Sequence, residues 1–132
     1  MKITWQEGYR FEAETRGIRF VSDQREPWGT NQGPEPAELL AASLGACVGV
    51  YASSYLQRHG IPMTGLEIDV DWSPATEPKR IGAFTLQVRL PHALDARQRT
   101  TLERTIQGCM IHNTLHHPPD IRITLEAPSA PE

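Results

Sequence analysis

The chain has 132 residues, enough for a single domain spanning 1–132 that buries roughly two-thirds of its unfolded surface. Its net charge is −3 with lysine and arginine scattered rather than clustered, which argues against nucleic acid or an anionic membrane surface as partner. The opening stretch, residues 1–15, has no apolar signal-peptide core, so the expected compartment is cytoplasmic, where Cys47 and Cys109 rest as thiols rather than as a structural disulfide.

Taken in order, residues 2–22 alternate in short runs: Ile3 and Trp5, then Tyr9, Phe11 and Ala13, then Ile18, Phe20 and Val21. Breaks at Glu7-Gly8 and Arg16-Gly17 divide them into three short antiparallel strands. Residues 23–35 collect Pro27, Gly29, Asn31, Gly33 and Pro34, turn formers around Trp28, and predict a loop. Trp28 either packs on its own domain or lids a site.

Residues 36–60 predict one long helix. Pro36 suits the first turn, Glu38 sits at the positive N-terminal end, and Arg58, His59 and Gly60 form a C-terminal signal. No charge lies between Leu39 and Leu56. That run is long enough to raise a membrane span, but its alanines, glycines and serines lower the hydropathy and the flanking chain reads as amphipathic strands. A buried helix in a soluble domain is the preferred reading, with small residues that let a sheet or second helix approach closely around Cys47.

Residues 66–72 alternate apolar with acidic and predict a half-buried strand, and residues 84–90 return antiparallel to it. Asp95 reads as the N-cap of an amphipathic helix that reaches Gly108-Cys109, with a further helical turn over residues 110–115. Pro118-Pro119 stops it, residues 121–125 predict a last strand, and residues 127–132 form a frayed tail. The order is α+β, antiparallel sheets around a long buried central helix. So apolar a helix in so short a chain is economically covered in a dimer.

The two cysteines admit two readings. They are inert buried thiols, or they are a pair in which one thiolate attacks a hydroperoxide, becomes a sulfenic acid and condenses with the other thiol to a disulfide. The second reading requires their Cα atoms to come about 5.5–6 Å apart. Mid-helix Cys47 also needs a cation from elsewhere for reactivity. Arg10, Arg16, Arg19 and Arg25 are the N-terminal candidates, and Glu38 is placed to hold one of them. Cys109, His112, His116 and His117 have loosely zinc-like spacing, with no evident fourth ligand.

The run Pro36-Ala37-Glu38-Leu39-Leu40-Ala41-Ala42-Ser43-Leu44-Gly45-Ala46-Cys47 resembles the central-helix signature of the OsmC/Ohr family. Residues 108–115, Gly-Cys-Met-Ile-His-Asn-Thr-Leu, resemble its second-cysteine motif, and the likeness extends over nearly the whole chain. It implies an intertwined homodimer with active sites at the subunit interface. It implies reduction of organic or fatty-acid hydroperoxides without a cofactor, Cys47 as peroxidatic and Cys109 as resolving thiol, and a small dithiol or lipoyl-type reductant. An arginine held by a helix glutamate completes the family site and is carried over to Arg10 and Glu38. The family's glutamate position falls on Ala37 here, one residue before Glu38. The alternative is an OsmC-like small-molecule binding or stress protein without efficient peroxidase activity.

Overall fold

A computed structural model describes residues 1–130. The end of the expected tail, Pro131 and Glu132, lies outside the described residues. Lys2–Glu7 (β1), Arg10–Thr15 (β2) and Ile18–Ser22 (β3) form an antiparallel sheet in the order β1-β2-β3. Its register sets Ile3 opposite Ala13, Trp5 opposite Phe11, and Ala13 opposite Phe20. Directly opposite side chains share a face, so this sheet carries one apolar face. Ala13 is buried on it, while Trp5 is 61% exposed. Among the described residues no strand of this sheet packs substantially on a helix or on another sheet.

The loop that follows is organised by a buried carboxylate. Asp23 accepts hydrogen bonds from the backbone N–H groups of Gln24 (2.7 Å), Thr30 (3.1 Å) and Gln32 (3.1 Å), and from the Thr30 hydroxyl (2.6 Å). These contacts satisfy donors that a loop otherwise leaves to water. Trp28 stays exposed at the surface.

Pro36–Arg58 (α1) is the expected long helix. Different faces of it meet different neighbours. Gly45 and Gly49 receive the strand Glu67–Ala75 (β4): a Cβ on Gly45 would lie 2.8 Å from Val70 Cγ2, and one on Gly49 would lie 3.1 Å from Ile68 Cδ1. Ala52, Tyr55 and Leu56 pack with Leu102 of the helix Ala96–Gln107 (α2). Leu44, Cys47, Val48 and Tyr51, spaced at helical intervals, face Cys109 and the strand Arg80–Arg89 (β5). Gly60, at φ +63°, closes the helix as a left-handed residue. By length and composition α1 would cross a membrane. In this fold its buried residues instead pack on β4, β5, α2 and the short helix Met110–His116 (α3).

β4 and β5 form a long antiparallel hairpin that continues beyond the predicted ends almost to the turn. The Asp95 carboxylate caps α2, accepting the Gln98 N–H at 2.7 Å, while the Gln98 side chain returns the bond to the Asp95 N–H at 3.0 Å.

The architecture is α+β, with two antiparallel sheets and one long, largely buried apolar helix. One expected element is not formed. Residues 121–125 form neither strand nor helix, with Ile123 90% exposed. An alternating pattern makes a strand only where an edge pairs with it, and among the described residues no strand pairs with this segment.

Candidate active site

Cys47 lies mid-helix on the α1 face that carries Leu44, Val48 and Tyr51, and it is half-buried. The turn between α2 and α3 brings Cys109 onto that same face, fully buried against Leu44 and Val48. The close approach runs through these larger side chains. Of the two partners the small residues admit, a sheet or a second helix, Gly45 and Gly49 receive the sheet, through β4.

Both cysteines are free thiols, and Cys47 packs against the buried cluster that holds Cys109. Burial pushes the Cys109 thiol above its ordinary range, and the neighbouring Cys47 adds to the rise. The His112 backbone N–H donates to Cys109 Sγ at 3.3 Å and pulls the other way without prevailing. At neutral pH Cys109 is therefore a protonated thiol held beside the more accessible Cys47. A reagent entering from solvent meets Cys47 first, and Cys109 is placed to meet the product.

The charged residues expected here lie elsewhere. Arg10 binds the Glu7 carboxylate at 3.2 Å and the Gln6 side chain at 3.2 Å, and it does not reach Glu38. The arginine beside Glu38 is Arg25, at 3.5 Å. Arg25 makes its shorter bonds to Glu35, with Nη2 at 2.7 Å and Nε at 3.0 Å from the same oxygen. That guanidinium holds the Glu35 carboxyl below its ordinary range, and Glu38 accepts the Glu35 backbone N–H at 2.8 Å. The cluster ties the N-terminal loop to the start of α1. Its two carboxylates, Glu38 and Glu35, start about 14 and about 18 Å of helix rise before Cys47, at 1.5 Å per residue.

Sequence reasoning had no reason to single out Glu35 or Asp23. The available signals were Glu35 directly before Pro36, the position of a helix N-cap, and Asp23 opening a loop rich in turn formers. His112 and His116 lie against one another at the edge of the site, ring centroids 4.3 Å apart and planes tilted by 47°. Among the described residues no three histidine, cysteine or acidic side chains are placed to hold a metal, so the zinc-like spacing of residues 109–117 does not become a ligand set.

Residues 29–124 match the sequence profile of the OsmC-like proteins. The chain belongs to the OsmC-like family. No curated protein sequence matches it. Among solved structures, this OsmC-like chain is similar to an osmotic stress induced and detoxification response protein from Psychrobacter arcticus, at 21% identity and TM-score 0.79 over 86% of this chain and 85% of that one. It is similar to an OsmC-like protein from Mycoplasma pneumoniae, at 20% identity and TM-score 0.72 over 89% and 86%. An OsmC-like hydroperoxide resistance protein from a Jannaschia species aligns at 19% identity and TM-score 0.57 over 97% and 91%. At these identities the structural likeness establishes the OsmC-like fold.

Proposed function

We propose that this OsmC-like chain is a cytoplasmic, thiol-dependent reductase of organic or fatty-acid hydroperoxides that works as a homodimer. The observation that carries the reading is that Cys47 packs on the cluster that buries Cys109, on one face of α1. Family membership and the hydroperoxide-resistance name of the Jannaschia protein point the same way.

In the proposed cycle the Cys47 thiolate attacks the terminal hydroperoxide oxygen. The O–O bond breaks, the alcohol leaves with a proton, and Cys47 becomes a sulfenic acid. Cys109 then attacks that sulfur, an S–S bond forms, and the sulfenic oxygen leaves as water with the Cys109 proton. A small dithiol of the lipoyl kind restores both thiols and is itself oxidised to a disulfide. Glu38 with Arg25 orders the entry to α1. Their distance from Cys47 leaves the activating cation to a second copy, whose N-terminal arginines, Arg10 among them, are the candidates.

Stopped-flow with an alkyl hydroperoxide tests the reading. Cys47→Ser is expected to lower consumption at least 100-fold, while Cys109→Ser is expected to accumulate a trappable sulfenic acid on Cys47. Unchanged consumption by Cys47→Ser sinks it.

A further inference from the structure

The Cys109 sulfur also caps α3. Its Sγ accepts the His112 N–H at 3.3 Å, and the Cys109 carbonyl accepts the Asn113 N–H at 3.0 Å, closing the first helical turn. Oxygen-bearing side chains are the usual caps, and sulfur is a weaker acceptor than they are.

α3 depends on that cap. At seven residues it falls well short of the roughly 12–15 at which an isolated helix becomes stable, so capping and packing must hold it. Packing holds it lightly. Among the described residues none of α3 is buried, Met110 is exposed, and Ile111 is the α3 side chain that reaches the Leu44–Val48–Cys109 cluster. The first turn also carries a standing cost, because His112 Nδ1 is sealed from solvent with no hydrogen-bond partner. Segments with few buried apolar contacts are the ones that open locally.

A bond to Cys47 removes the cap. Cys47 is fixed in the middle of a 23-residue helix, whereas Cys109 lies in the link Gly108-Cys109 between α2 and α3. When the two sulfurs close to about 2.05 Å, the Cys109 side is therefore the one that moves. Its Sγ leaves an N–H bond that is already long at 3.3 Å. The His112 N–H then joins His112 Nδ1 without a partner, and opening of the first turn lets water satisfy both.

We propose that α3 is a redox-operated gate, closed over Cys109 while the thiol caps it and opened at its first turn when Cys109 is bonded to Cys47. Opening admits a reductant to a sulfur that the closed form seals. The gate rests on the thiol cycle proposed above for its physiological oxidant. Its structural step does not, since any oxidant that joins the two thiols uncaps the helix.

Hydrogen–deuterium exchange of the full chain, read by peptide mass spectrometry, tests it by comparing the reduced protein with protein oxidised by diamide. Diamide takes up the two protons and two electrons of the thiols and becomes a hydrazine, so the disulfide forms without hydroperoxide. The amides of residues 112–116 are expected to exchange at least five-fold faster in the disulfide form, with α1 unchanged. Cys109→Ala loses the cap without forming a disulfide and should match the oxidised protein. Cys109→Ser, whose hydroxyl caps in place of the thiol, should stay as slow as the reduced one. If Cys109→Ala does not fold, the wild-type comparison decides alone. Equal exchange of residues 112–116 in the two redox forms, Cys109→Ala as slow as Cys109→Ser, or failure of diamide to join Cys47 and Cys109 overturns the gate. Unchanged hydroperoxide consumption by Cys47→Ser sinks the peroxidase reading and leaves the exchange result standing.

Discussion

Asp23 and Cys109 are both buried side chains that accept backbone N–H groups, and they end with opposite electrostatics. Asp23 collects four hydrogen bonds, led by that of the Thr30 hydroxyl, and its pKa falls to about 2. Cys109 receives few against full burial, so its pKa rises. The consequences for pH differ in sign. Asp23 contributes stability that is complete above its unfolded pKa of about 3.9 and is lost as pH falls toward 2. Asp23→Asn should therefore lower Tm by several degrees at pH 7, with the gap to wild type closing between pH 4 and pH 2. A gap that stays constant across that window refutes the assignment. The Cys109 contribution is complete below the unfolded thiol value of about 8.5 and is lost as pH rises. In the native reduced protein, iodoacetamide at pH 8 should label Cys47 at least ten times faster than Cys109, as read by peptide mass spectrometry. Comparable rates would show that Cys109 is neither sealed nor held protonated.

At the scale of elements, α1 decides the arrangement through which residues lie on which face. Gly45 normally costs a helix about 1 kcal/mol relative to alanine, yet an added Cβ would sit 2.8 Å from Val70 Cγ2 of β4. A branched side chain has few ways to yield. Gly45→Ala should therefore destabilise by about 1–2 kcal/mol in denaturant unfolding despite the better helix propensity, the scale of modest overpacking. Val70→Ala in the same chain should recover most of it. Absence of coupling in that double-mutant cycle would place β4 elsewhere. The helix was legible in the sequence because Pro36, the uncharged run and Gly60 mark its limits without help from other elements. So were β1–β3, the β4–β5 hairpin and the Asp95 cap, each written in local periodicity or capping chemistry. The destination of each α1 face was not legible, since glycines permit a strand and a helix equally. Nor was the Arg25–Glu35 pair, which depends on how the 23–35 loop folds back. Residues 121–125 carry a strand pattern, but the edge that would complete a strand is not written in the segment itself.

For the whole molecule, one feature of the apolar surface governs solution behaviour. The apolar face of the β1–β3 sheet, with Trp5, Phe11 and Phe20 all partly exposed, has no substantial packing on the helices or on the β4–β5 sheet. On α1, Val50 is 65% exposed, on an outer side where Ser43 and Ala46 are exposed as well. Contiguous apolar surface of this kind is uncommon on a monomer. A second copy can lay its sheet face over the outer side of α1 and receive the same cover in return, which a closed two-fold arrangement supplies without leaving an open face. The same exchange would bring N-terminal arginines toward the partner's α1, the element that carries Cys47. Light scattering at micromolar concentration should therefore give about twice the 14.8 kDa of one chain. Trp5→Lys and Val50→Lys should each shift the protein toward monomer, and both should reduce hydroperoxide turnover in proportion to dimer lost, because the thiol would keep Cys109 but lose its cation. A wild-type protein that remains at 14.8 kDa across that range removes the dimer and, with it, the source proposed for activating Cys47.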